Sequence, residues 1–326
     1  MITLADKLRE SKFMGVRRID RLQDTISRLA LCVKRVSGLV RQMPFKDISQ
    51  FKGSTNVQGE QTQWLDEAAN AVFHEELAES YCGIAVSEED ESAVITKTAK
   101  DNAEYLLSYD PLDGSSNLGV NIPVGTIFGL WQRADLGVEV SEVEYFQPGR
   151  NLIAAGYSVY GPTTLLVLSW GDGVHEFALD DNTGKFILLN SNLEIPSAGK
   201  TYSCNEGNSH TWDSQTKRFV DACKAKDEKN GTPWGARYVG SLVADFHRNL
   251  KKGGVFLYPA DSKNARGKLR MLYECLPMAM ICRAAGGRAS DGKTDLLDLS
   301  PTQIHERCPL IIGSKNMVDL YDSMRG

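Results

Sequence analysis

The stretch Asp110-Pro111-Leu112-Asp113-Gly114-Ser115-Ser116-Asn117 follows directly on the apolar run Tyr105-Leu106-Leu107-Ser108-Tyr109. The run reads as a buried strand, so Asp110 arrives at a strand end and Pro111 turns the chain there. The two carboxylates, three residues apart across that turn, can face one point. Hard oxygen ligands of this kind suit Mg²⁺ or Mn²⁺. The Gly114-Ser115-Ser116 that follows exposes backbone N–H groups and hydroxyls, a nest for a phosphate. One element would then set metal and phosphate side by side. The shorter pattern, two aspartates and a glycine, is also common as an ordinary turn; the whole eight-residue string is what points to chemistry.

Working outward, Glu88 and Glu89 follow a second predicted strand, 81–86, and gain interest only because another strand end carries Asp110 and Asp113. Asp90 and Glu91 read as a solvated acidic run. Glu274 stands in an otherwise apolar helical pattern, Met271-Leu272-Tyr273-Glu274-Cys275-Leu276, where an unpaired buried charge is costly. A metal or a basic partner accounts for it, and so does a place on an exposed stripe. Arg237, Tyr238, Tyr258, Lys268 and Arg270 supply cations and phenol hydroxyls that can hold a phosphate far from the metal. Taken singly, each is an ordinary surface group.

Helical spacing of Leu22, Ile26, Leu29, Val33, Val36 and Val40 predicts an amphipathic helix over 19–42. A turn-rich stretch, 50–57, precedes a second helix over about 60–80. The middle of the chain reads as strands at 125–131, 164–170, 175–179 and 185–189, with turns at Gly171-Asp172-Gly173 and Asp181-Asn182-Thr183-Gly184. Beyond Ile195-Pro196 the pattern alternates: helices at 211–224 and 241–250, a strand at 255–258, a helix at 269–285, and short strands near Arg288 and Leu310. This alternation predicts a layered α/β fold in two closely packed halves, 1–195 with the metal-binding loops and 196–326 with the distal-phosphate and sugar-binding residues.

The 326 residues are 42% hydrophobic and carry a net charge of −5, which argues against nucleic-acid or anionic-membrane partners and requires local cations for any anionic substrate. Seven scattered cysteines with no CxxC pair argue against a zinc site or a disulfide framework and favour a reducing, cytoplasmic setting. No run approaches the ~20 apolar residues of a membrane span.

Several strings resemble class I fructose-1,6-bisphosphatases. They are Val86-Ser87-Glu88-Glu89-Asp90, Asp110 to Asn117, Gln147-Pro148-Gly149-Arg150-Asn151, Asn205-Glu206-Gly207, Ala236-Arg237-Tyr238-Val239-Gly240-Ser241 and Gly267-Lys268-Leu269-Arg270-Met271-Leu272-Tyr273-Glu274. The similarity runs in register from about residue 15 to the end. The Asp110 to Ser116 core alone indicates only the wider metal-dependent, lithium-sensitive phosphatases.

The resemblance implies an αβαβα layered fold and a homotetramer, with a dimer as the alternative. It implies Mg²⁺ on Glu88, Glu89, Asp110, Asp113, Glu274 and the Leu112 carbonyl, with Mn²⁺ as a substitute. Asp113, Gly114, Ser115 and Ser116 would meet the departing phosphate. Asn205, Tyr238, Tyr258 and Lys268 would hold the distal phosphate and sugar, and Arg237 would reach a neighbouring subunit's site. Glu60, Asp66 and Glu89 would orient water or take its proton. The implied reaction is hydrolysis of the 1-phosphate of fructose 1,6-bisphosphate.

Glu60 replaces an Asp common in the family, Asn208 a distal-phosphate Tyr and Leu242 a sugar-contacting Met. The last two leave a sedoheptulose-1,7-bisphosphatase or a dual-specificity enzyme as the alternative. A catalytically silent sugar-phosphate sensor would have lost an acidic ligand, and none is lost. The family's AMP-binding turn becomes Arg18-Ile19-Asp20-Arg21, with Glu104 for a Lys and Gln132 for an Arg; poor AMP inhibition is the expectation.

Overall fold

The computed structural model describes residues 1–13, 15–43, 57–98, 103–228 and 231–325, and for 57–62 the backbone alone. Residues 50–56 of the expected turn-rich stretch lie outside it.

Helix α1 spans Leu4–Glu10, α2 Ile19–Gln42 and α3 Val57–Leu77. The apolar stripe of α2 buries Leu22, Ile26, Leu29, Val33 and Val36 completely, each worth about 1.5–3 kcal/mol. That stripe and Leu65, Ala69 and Phe73 of α3 form one core with the facing side of a large sheet.

The sheet has eight strands: β1 Cys82–Ser87, β2 Val94–Ile95, β3 Tyr105–Asp113, β4 Gly125–Gln132, β5 Leu152–Tyr160, β6 Thr164–Ser169, β7 Val174–Asp180 and β8 Lys185–Asn190. Their order is β2-β1-β3-β4-β5-β6-β7-β8. Only β1 and β3 run parallel; the rest is an antiparallel meander. Along β3, Tyr105, Leu107 and Tyr109 face the α2/α3 core while Leu106 faces the opposite one, the period of two expected of a pleated strand.

The second half adds β9 Thr201–Ser203, α4 Ser214–Lys224, β10 Gly235–Ala236, α5 Leu242–Lys252, β11 Val255–Tyr258, β12 Leu269–Arg270, α6 Leu276–Ala284, β13 Arg288–Ser290, β14 Arg307–Cys308, β15 Leu310–Gly313 and α7 Lys315–Ser323. The second sheet runs β10-β9-β11-β15-β13, and β12 pairs with β14 apart from it. Helices α5 and α6 lie between the two sheets in a shared core with Trp131, Tyr157 and Ile312. On the far side, α4 and α7 close Phe219, Val318 and Tyr321 over the second sheet. The layers are therefore α1–α3, first sheet, α5–α6, second sheet, α4 and α7.

Four local expectations change. β3 does not end at Asp110 but continues through Pro111 to Asp113, with a shift of register against β4 between the two aspartates. The bulge lets the strand pass a proline that cannot donate to the ladder. Strand β5 went unread because Ala154-Ala155-Gly156 has little β preference. Gly156 is nonetheless required, since a Cβ there would lie 2.3 Å from the Phe128 ring. The continuous helix over 269–285 is instead a short strand, a π-helical turn at Met271–Cys275 and then α6. Asp90 is not simply solvated: it is half-buried, accepting from Asn70 Nδ2 at 2.8 Å and paired with His74 Nε2 at 3.0 Å.

Gly125 sits opposite Asp113 where the bulge closes. A Cβ there would lie 2.0 Å from the Ser158 carbonyl oxygen and 2.8 Å from Val243 Cγ2. Gly125→Ala is expected to destabilise the protein by about 3 kcal/mol, because backbone rather than a flexible side chain must move. An unchanged urea midpoint would show that β4 and β5 separate there without cost.

Candidate active site

Three acidic side chains from two distant parts of the chain meet at one buried point. Asp110 and Asp113, on the bulge of β3, are 2% and 7% exposed, and Glu274, on the π-helical turn, is 5% exposed. One carboxylate oxygen from each lies within 4.8 Å of the others. Among the described residues, no Lys or Arg forms an ion pair with any of the three. Backbone N–H groups aim at them instead: Leu112 donates to Asp110 at 2.8 Å, Val243 to Asp113 at 3.1 Å, and Arg270 to Glu274. The Val243 bond places Asp113 on the first turn of α5, the end where a helix favours negative charge.

Burial dominates the protonation of this group. It pushes Asp113 up to about 7, and it pushes Asp110 and Glu274 well above the usual carboxylate range, with the neighbouring carboxylates adding to the shift. Glu88, at the end of β1, is half-buried and its charge raises both Asp110 and Glu274. Glu89 beside it is exposed overall, but partial desolvation of its carboxyl, then repulsion from Glu88, raises its pKa. Neither glutamate joins the tight triad. The Leu112 side chain is buried in the α2/α3 core.

The segment expected to meet the phosphate turns sharply. Gly114 adopts φ 78°, the left-handed conformation in which glycine is favoured, and a short 3₁₀ turn starts at Ser115. Asp66 sits half-buried on α3. Burial, then the charges of Glu89 and Glu88, lift Asp66 to about 7. Glu60 lies in the first turn of α3, and its side chain is outside the described residues.

The distal residues gather in a separate concavity lined by Asn205, Asn208, Tyr238, Tyr258, Asp261 and Lys268, among others. Tyr258 joins it to the acidic triad: burial and then the Glu274 charge raise its phenol. Lys268 is exposed at the concavity, and Arg237 is exposed outside its lining. Arg270 is half-buried, its guanidinium donating to the His305 carbonyl at 3.2 Å.

The sequence reading missed three supports. Asp245, 1% exposed, accepts from the Val239 and Gly240 N–H groups at 3.0 and 3.1 Å and shapes the loop after Tyr238. Asn117 Nδ2 donates to the Gly240 carbonyl at 3.1 Å, tying the phosphate turn to that loop. Asn70, 8% exposed, binds α3 to β1 and β3. Only Asp245 had a signal, a lone acid inside the apolar pattern of α5.

The donor set fits a divalent cation. It consists of hard oxygens, it is buried, and among the described residues it makes no ion pair with Lys or Arg; Asp66 Oδ1 and Ser241 Oγ are also buried without a hydrogen-bond partner. Raised carboxyl pKa values make the metal-free protein most stable while these groups are protonated. That contribution is complete below the unfolded value near 3.8 and is lost as pH rises through the folded value of about 7. Saturating Mg²⁺ should therefore raise Tm more at about pH 8 than at about pH 5.5, by scanning calorimetry. A Mg²⁺ shift that is equal at both pH values, or larger at the lower, contradicts this.

Comparison with known proteins gives the same picture over the whole chain. Residues 6–191 match the family model of the fructose-1,6-bisphosphatase N-terminal domain, and residues 195–325 match that of the C-terminal domain. The structures of Leishmania major fructose-1,6-bisphosphatase in apo and holo form are each 35% identical and superpose at TM-score 0.86, covering 99% of this chain and 98% of that one. The T-state structure of the same enzyme superposes at 0.87 with the same identity and coverage. With both domains matched in order, the buried acidic triad and its phosphate turn sit in a chain that belongs to the fructose-1,6-bisphosphatase family.

Proposed function

We propose that this chain hydrolyses the 1-phosphate of fructose 1,6-bisphosphate with Mg²⁺ held by Asp110, Asp113, Glu274, Glu88, Glu89 and the Leu112 carbonyl. The observation that carries the reading is the convergence of three buried carboxylates, with no Lys or Arg ion pair among the described residues, beside the Gly114–Ser116 turn. The family is metal-dependent and acts on a sugar bisphosphate; the all-oxygen donor set suits Mg²⁺, with Mn²⁺ as a substitute. Bound there, a divalent cation neutralises the phosphate and lowers the pKa of water.

The protein groups divide the remaining work. Ser115, Ser116 and the N–H groups of the turn orient the reacting phosphate. Lys268, Tyr238, Tyr258, Asn205 and Arg270 hold the distal phosphate and sugar, and Arg237, exposed and outside the concavity, suits a role in a neighbouring subunit of a homotetramer. Asp66, half-buried on α3, is one carboxylate assigned to orient the attacking water or take its proton. Glu89 and Glu60 are the other carboxylates assigned to that task. The water oxygen attacks phosphorus as its proton passes to a carboxylate, the bond to the sugar O1 breaks, and O1 takes a proton from solvent to leave as the alcohol.

The two halves, 1–195 and 196–326, work as one cleft, since β1–β8 lie in the first and β9–β15 in the second, and the Val243–Asp113 bond crosses between them. Among the described residues, no helix is long and apolar enough to cross a membrane; a cytoplasmic location rests on the seven free, buried cysteines.

In Mg²⁺, fructose 1,6-bisphosphate should be turned over with a higher kcat/KM than sedoheptulose 1,7-bisphosphate, and Asp113→Ala should remove activity on both while leaving the circular dichroism unchanged. A folded variant with near-normal turnover would sink the site. The opposite substrate order would assign the enzyme to the seven-carbon sugar, a result for which Asn208 in the concavity is the structural opening.

The region of the family's AMP pocket is closed by its own residues. Arg21 pairs with Glu104 at 2.8 Å in a largely buried bridge, and Arg18 pairs with Asp20 at 3.1 Å. Gln132 Oε1 accepts from the Arg17 N–H at 2.9 Å, and the Tyr105 hydroxyl donates to the Arg18 carbonyl at 2.8 Å. The two arginines that could replace the lost cations are thus already engaged. Each missing charge-assisted bond is worth about 1.5–3 kcal/mol, so AMP affinity should fall by orders of magnitude. An activity titration at saturating Mg²⁺ should show no inhibition at micromolar AMP; half-inhibition in the low micromolar range overturns this.

A further inference from the structure

One buried amide on α3 binds side chains from β1, from β3 and from the turn just after β1. Asn70 lies one turn beyond Asp66 on α3. Its Oδ1 accepts from Ser87 Oγ at 2.8 Å and from the Tyr109 hydroxyl at 2.9 Å, and its Nδ2 donates to Asp90 Oδ1 at 2.8 Å. A carboxylate can only accept, so the bond to Asp90 fixes which way the amide faces. Ser87 Oγ in turn accepts from the Glu89 N–H at 3.2 Å, and the Glu88 N–H donates to the Tyr109 carbonyl at 3.1 Å. The Tyr109 ring stacks on Phe73 of the same helix at 4.4 Å, and Asp110 is the next residue along β3.

The pattern is more specific than core packing demands. Tyr109 and Ser87 face each other across the parallel pair β1·β3, and both spend their hydroxyls on one helical side chain. Asp90 spends its carboxylate on the same helix, through Asn70 and through His74. A helix docked only by apolar contact can slide by a fraction of a residue at little cost. Three directional bonds to a single amide define its height and rotation against the strand ends.

We propose that Asn70 is a positioning residue for the phosphatase reaction. It holds α3, and with it Asp66, at a fixed distance from Glu88, Glu89 and Asp110, while pinning the Glu88-Glu89 backbone through Ser87. The inference rests on the roles proposed above for those carboxylates. Displacements of about an ångström at such a site cost up to about a hundredfold in rate.

The test uses the full-length protein and four variants. Asn70→Ala should lower kcat about tenfold or more while KM for fructose 1,6-bisphosphate changes by less than about threefold. Its affinity for Mn²⁺, measured by calorimetry without substrate, should weaken at least about threefold. Asn70→Asp should do the same, because it sets a carboxylate against Asp90. Combining Asn70→Asp with Asp90→Asn restores one donor and the acceptors between the two positions, and should recover most of kcat and of Mn²⁺ affinity. A purely structural role would lower Tm in Asn70→Ala and leave kcat and Mn²⁺ affinity at wild-type values; that result overturns the proposal. Failure of the double variant to regain both quantities also overturns it, including the case in which Asn70→Ala does not fold. Asp113→Ala separates the two readings. If it remains active, the site assignment itself falls; if it is inactive while Asn70→Ala is normal, only this inference does.

Discussion

Three buried carboxylates, with one oxygen of each within 4.8 Å of the others and no Lys or Arg ion pair to them among the described residues, are the constraint around which this molecule is arranged. Removing each charge from water costs several kcal/mol, and the repulsion among them adds to it. Burial and mutual charge accordingly drive Asp110, Asp113 and Glu274 toward their neutral forms. The fold tolerates this arrangement because large apolar layers surround it. The core on one face of the first sheet joins Leu22, Phe73 and Tyr109, and the core on the other joins Trp131, Phe246 and Leu272. A buried, preorganised acidic centre is also what gives a bound cation and its phosphate their largest electrostatic interaction.

Each carboxylate is delivered by a departure from regular structure. The β3 bulge carries Asp110 and Asp113 past Pro111, the left-handed Gly114 reverses the chain into the phosphate turn, and the π-helical turn sets Glu274 inward ahead of α6. Such irregularities are over-represented at functional sites because they aim a side chain that a regular ladder would not. Backbone N–H groups then fix the oxygens. The bond from Val243 to Asp113 is the most telling, since it fastens the α5 N-terminus in one half to the strand end in the other.

Around this centre the polar contacts form a chain rather than a set of isolated pairs. Asn117 ties the phosphate turn to Gly240, Asp245 holds the Val239-Gly240 backbone, and Tyr238 leads from that loop into the distal concavity. On the other side Asn70 ties α3 to β1 and β3.

Much of this was legible in the amino-acid order. The α2 stripe is a clean 3.6-residue period, and the structure starts and ends that helix at residues 19 and 42 as the sequence predicts. The eight-residue string at Asp110 marked the site, because acid, glycine and hydroxyl spacing in a turn is local chemistry. What was local could be read: strands with β-branched and aromatic runs, turns with glycine, and ligand-type residues at strand ends. Strand β5 could not, since Ala154-Ala155-Gly156 is small in order to let Phe128 lie over it, and Phe128 is distant in sequence. Nor could the π-helical turn, whose apolar spacing mimics an ordinary helix. Asp90 looked like part of a solvated acidic run because its partners, Asn70 and His74, are brought to it by the docking of α3. The sequence by itself determined the residue types of the acidic centre and the layers that bury it. Only the tertiary structure decided which carboxylates share one point, which are exposed, and which uncharged side chain sets their spacing, because those are contacts between segments whose separation along the chain carries no local signal.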